Sequence, residues 1–82
     1  MDLYKESRIL LKNLTKNLEG HLQPELEVIF RMKEEQSCVF VTIDLKRRRR
    51  HLICRHQFQV KDNFDLSILS EFVEYFTAKL CQ

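Results

Sequence analysis

Six consecutive residues, Lys46, Arg47, Arg48, Arg49, Arg50 and His51, carry the strongest chemical signal in the chain. Crowded guanidinium groups repel one another and present planar forks matched to phosphate oxygens. The run therefore points to an anionic partner, nucleic acid foremost, with Arg55 as an assisting contact. Aromatic side chains that would stack on bases are scarce nearby. Phe40 is the nearest, and the chain has no Trp. Cys54 and His56 form a second suggestive pair, since residues two apart on a strand share a face. Cys38 and Cys81 do not complete a four-ligand zinc set with them, and inward positions on a strand face a core and not a cleft. His56 is expected to be a core histidine hydrogen-bonded to a neighbour. The single Gly removes the Gly-rich phosphate loop and the dinucleotide fingerprint. No catalytic residue, metal, cofactor or small-molecule substrate is expected.

Composition narrows the setting for those residues. A chain of 82 residues with 44% hydrophobic side chains, one Gly and one Pro has the make-up of one folded domain, residues 1–82, with a single core. No apolar run approaches the roughly 18 residues needed to span a bilayer. The N-terminus Met-Asp-Leu-Tyr-Lys-Glu-Ser-Arg is too charged for a secretory signal. The three cysteines are odd in number and lack a Cys-x-x-Cys spacing, which suits a reducing compartment. An intracellular protein, cytoplasmic or nuclear, with no membrane partner is expected. The net charge of +2 is unevenly spread: residues 1–35 carry −1, residues 36–61 carry +6 and residues 62–82 carry −3. Almost all positive excess lies mid-chain.

The elements that must position these residues follow from periodicity. From Asp2 to Glu19, Leu3, Tyr4, Leu10, Leu11, Leu14 and Leu18 recur on one side of a helix, with Asp2 as a cap and Gly20 as a stop. Ile9 falls outside that stripe. After Pro24 the period becomes 2. Leu26, Val28, Phe30 and Met32 face one way on a first strand, Val39, Val41, Ile43 and Leu45 on a second, and Leu52, Cys54, His56, Phe58 and Val60 on a third. A final helix capped by Asp62, Asn63 or Asp65 carries a wide stripe of Leu66, Leu69, Phe72, Val73, Phe76 and Leu80. The expected fold is α+β: a two-layer α-β-β-β-α arrangement in which both helices lie on one face of a three-stranded antiparallel meander.

Equal spacing between inward residues predicts two hairpins with four-residue loops, Lys33 opposite Cys38 and Lys46 opposite His51. The inward rows then read Leu26, Leu45, Leu52; Val28, Ile43, Cys54; Phe30, Val41, His56; and Met32, Val39, Phe58. The outward rows read Ile29, Thr42, Arg55; Glu27, Asp44, Ile53; and Arg31, Phe40, Gln57. In this topology both helix C-termini reach the arginine end, where their carbonyls welcome cations. Glu34, Glu35, Asp62 and Asp65 sit at the other end, near the helix N-termini. A solvated loop complementing helix ends thus competes with nucleic-acid binding as the reason for the arginines.

Three surfaces remain for protein contact. Ile29, Phe40 and Ile53 lie on the uncovered sheet face, Phe64, Ile68 and Tyr75 form a flanking strip on the last helix, and Ile9 stands apart. The third strand is long and lies at an edge, so its backbone could pair with a second copy. The element order resembles that of double-stranded-RNA-binding domains, although Asp62-Asn63-Phe64-Asp65 stands where that family has a lysine-rich helix start. With an extra strand the order is also similar to RWD-type protein-binding modules, whose proline-rich turn has no counterpart here, Pro24 being the only proline. Element order alone does not carry function. The expectation is a non-catalytic module acting through protein contacts, with another protein or a dimer mate as partner, and nucleic-acid binding by residues 46–51 is the alternative.

Overall fold

The structure, a computed structural model, describes residues 2–81. Helix α1 spans Leu3–Leu18, strands β1, β2 and β3 span Leu26–Glu35, Cys38–Arg47 and Leu52–Val60, and helix α2 spans Asn63–Leu80. The strands form one antiparallel sheet in the order β1-β2-β3, and both helices pack against it. The expected α+β arrangement is therefore present.

Local chemistry explains the helix ends. Asp2 accepts a hydrogen bond from the Lys5 amide and Asp62 one from the Asp65 amide, satisfying amides that have no partner within the first turn. Asp65 also accepts from the Lys61 amide, 3.0 Å away, so the start of α2 is held reciprocally. At the other end of α1, Gly20 adopts φ +79, a conformation that costs a side chain little only when there is none.

The core sits over the middle strand. Val39, Val41, Ile43 and Leu45 of β2 are all buried, together with Leu11, Leu14 and Leu18 from α1, Leu69, Val73 and Phe76 from α2, and Val60. Inward residues of the edge strands, such as Val28, Phe30, Cys54 and Phe58, are only partly covered. His56 lies on the inward face as expected, but its ring meets Phe72 at 4.7 Å and Phe76 at 5.6 Å; no hydrogen-bonding neighbour accompanies it among the described residues. Ser7 lies on the buried stripe of α1, and its hydroxyl is buried without a hydrogen-bond partner.

The register departs from the sequence expectation in both hairpins. Glu35 pairs with Cys38, so the first hairpin closes on two residues, Gln36 and Ser37, with φ of 50 and 63. Two successive positive φ values define the type I′ turn, whose twist matches that of the strands it joins. The second hairpin pairs Leu45 with Cys54, and an irregularity at Leu45 and Lys46 brings Lys46 opposite Leu52. Away from that irregularity each slip is two residues, so those side chains keep their expected faces while their lateral neighbours change; Leu52, expected inward, instead comes opposite the outward Lys46. The inward rows become Val28, Leu45, Cys54; Phe30, Ile43, His56; and Met32, Val41, Phe58. Outward, Ile29, Asp44 and Arg55 share a row, as do Arg31, Thr42 and Gln57, and Lys33, Phe40 and Gln59.

Candidate interaction surface

The corrected register places Asp44 beside Arg55. The Arg55 guanidinium donates from Nε to Asp44 Oδ1 at 2.7 Å and from Nη2 to Oδ2 at 3.0 Å, and Arg31 Nη1 lies 3.1 Å from the same Oδ2. Asp44 is only 4% exposed, although no helix covers this face, because the two long side chains close over it. The Arg55 hydrogen bonds, followed by the charges of Arg55 and Arg31, outweigh desolvation and hold the Asp44 carboxyl below the ordinary aspartate range. Arg55 is thereby committed to the fold, and the cluster stands between the expected outer-face contacts. Ile29 lies on one side of Asp44, Phe40 two rows along, and Ile53 beyond Arg55.

The arginine loop divides in the same way. Its backbone turns through a hydrogen bond that the Arg50 amide donates to the Arg47 carbonyl at 3.0 Å, with Arg49 at φ 59. The Arg48 amide donates to the Glu25 carbonyl at 2.8 Å, and its Nε donates to the Pro24 carbonyl at 2.8 Å. Lys46 lies 3.9 Å from Glu27. Arg47, Arg49, Arg50 and His51 are exposed and have no side-chain partner among the described residues. The loop does share its end of the molecule with the helix C-termini: Arg48 lines a cleft with Leu18, Glu19 and Gly20, and the Cys81 Sγ lies 3.8 Å from the Asn17 carbonyl. The carbonyls it binds, however, belong to the connection between α1 and β1 and not to the last turn of either helix.

The apolar surface is concentrated elsewhere. Leu52 and Ile53 open β3, and Phe64, Ile68 and Tyr75 run along the flank of α2 beside it, with Phe64 71% exposed and Tyr75 59%. Phe72 ties strand to helix, its ring 4.7 Å from His56 and 4.9 Å from Phe58. Sequence periodicity identified the α2 flank but placed Leu52 in the core; the shifted register and the loop beside it leave Leu52 41% exposed. Ile9 belongs to a separate place, a shallow groove between the N-terminal halves of α1 and α2 with Leu10, Leu66 and Ser70. Cys54 and His56 do share a face, but no group of three or more His, Cys, Asp or Glu side chains converges among the described residues.

The two sheet edges differ in protection. Five of the ten residues of β1 are ionisable (Glu27, Arg31, Lys33, Glu34 and Glu35), which discourages pairing with another strand. In β3 the one permanently charged side chain is Arg55, paired with the Asp44 carboxylate that it shares with Arg31. Among the described residues no helix is long and apolar enough to cross a membrane. No protein-family model, curated protein or solved structure matches the chain.

Proposed function

We propose that the chain is a non-catalytic binding module that acts through protein contacts made by the β3 edge and the adjoining flank of α2. The observation that carries this reading is that most exposed large apolar side chains belong to β3 and α2. Of the seven large ones among the described residues, five belong to two neighbouring elements, Leu52 and Ile53 to the start of β3 and Phe64, Ile68 and Tyr75 to α2. Scattered surface apolar residues are ordinary, whereas several on an edge strand with few charges and on the helix that packs against it support an interface. The buried carboxylate, Asp44, has both oxygens bound by arginines, which suits a structural part and not acid-base chemistry. The test compares the native chain with an Ile68→Asp, Tyr75→Asp double variant in affinity capture, and each with itself in light scattering. Loss of a partner, whether another protein or a second copy, on substitution is expected. A native chain without any partner that depends on Ile68 and Tyr75 contradicts the reading.

A second reading, nucleic-acid binding, rests on the exposed and unpartnered Arg47, Arg49, Arg50 and His51. It has a smaller basis than the sequence suggested, because Arg48 and Arg55 are engaged within the fold and Lys46 lies near Glu27. Mobility-shift titrations with single- and double-stranded DNA and RNA at two salt concentrations decide it: binding that falls steeply with salt supports it, and no binding at low salt removes it.

A further inference from the structure

We propose that the occupant of this surface is a second copy of the chain, seated with its β3 edge antiparallel to the first about a two-fold axis at Gln57. The inference rests on the protein-contact reading above and names the partner. Its basis is the distribution of charge along β3. At the start of the strand lie Arg49, Arg50 and His51, and at its end lie Asp62 and Asp65 at the start of α2, which outweigh the single Lys61 beside them. An edge that is basic at one end and acidic at the other is complementary to itself only when the second copy runs the opposite way. A two-fold axis imposes that direction.

The side chains fit the same axis. Pairing about Gln57 sets His56 opposite Phe58 of the partner copy and places the basic loop of each chain against the acidic helix start of the other. Because Phe72 packs against both His56 and Phe58, the middle of α2 stands level with the middle of β3. The operation that reverses β3 about Gln57 therefore reverses α2 about its own centre. Ile68 then comes opposite Tyr75 of the partner copy, and Phe64 near its Lys79, whose ammonium lies 5.6 Å from the Tyr75 ring of its own chain; Leu52 and Ile53, opposite Asp62 and Lys61 on this axis, lie outside that apolar contact. The β1 edge has no such symmetry, and its charges oppose strand pairing. A standard interface takes about 800 Å² from each partner, roughly a seventh of the 5801 Å² surface of this chain.

Complementary charge reversal tests the arrangement. One variant carries Arg49→Glu and Arg50→Glu, the other Asn63→Lys and Asp65→Lys, leaving the Asp62 cap in place. In sedimentation equilibrium the native chain is expected to dimerise with an affinity that falls as salt rises. Each variant alone should lose about tenfold or more in affinity, since like charges then face each other twice. An equimolar mixture should recover a one-to-one heterodimer of near-native affinity, because both contacts regain opposite charges. Circular dichroism melts confirm folding, and Arg50→Gln with Asp65→Asn serves as a milder pair, each expected to weaken the dimer, should either reversal unfold the chain. A native chain monomeric to about 1 mM, variants that dimerise like the native chain, or a mixture that fails to recover overturns the inference. A monomer that still loses a different captured protein on Ile68→Asp, Tyr75→Asp substitution overturns this inference alone and leaves the protein-contact reading standing; absence of any such partner overturns both.

Discussion

At the scale of single residues, Asp44 and Ser7 show how little of a polar side chain's role is visible before its neighbours are known. The alternation Val39, Val41, Ile43, Leu45 correctly turns Asp44 outward, yet its partners depend on a register that two tight turns decide. With both oxygens held by Arg55 and Arg31, its folded pKa lies below the ordinary value. Such a group contributes its full stability above the unfolded aspartate pKa of about 3.9 and loses it as pH falls through the lower folded value. Denaturant titrations of the native chain and Asp44→Asn should show the native chain more stable by a constant margin at neutral pH, narrowing below about pH 4; a margin independent of pH in acid contradicts the ion pair. Ser7 makes the opposite case, a buried hydroxyl with no partner in a helix. Ser7→Ala removes that unmet polar group and improves helix propensity, so it should raise stability by about 1 kcal/mol, read from the urea midpoint at unchanged slope.

At the scale of elements, helices and strands were legible because apolar periodicity and the caps agree. Asp2, Gly20 and Asp62 mark ends where the backbone needs them, and strand faces survive a two-residue slip. The turn at Gln36 and Ser37 was not legible, because neither residue is the Gly or Asn that advertises positive φ. That substitution gives its own test. Gln36→Asn with Ser37→Gly supplies the residues this conformation favours and should stabilise the hairpin by about 1 kcal/mol; destabilisation in thermal melts contradicts a two-residue turn. The same slip separates Ile29, Phe40 and Ile53 around the Asp44 cluster. Most of the exposed apolar side chains that remain lie on the β3 edge and the α2 flank, among them Leu52, whose exposure periodicity did not foresee.

At the scale of the whole molecule, the fold sorts charge as well as hydrophobicity. Hairpin topology carries the arginines to one end of the sheet and Asp62 and Asp65 to the other, and the sequence alone sufficed to place them there. Which arginines are spent internally depends on contacts between residues distant in the chain, Arg48 with Pro24 and Arg55 with Asp44, and periodicity does not report these. What remains outward is a β1 edge defended by charge and a β3 edge bordered by apolar side chains. The claim that the second edge is the contact surface is tested most directly by backbone amide hydrogen exchange, residue by residue, at low and high protein concentration and with any captured partner. Slower exchange along residues 53–59 of β3 and around Ile68 and Tyr75, with the β1 edge unchanged, is the expected result. Protection confined to β1 or to the arginine loop, or no change under any of these conditions, contradicts it.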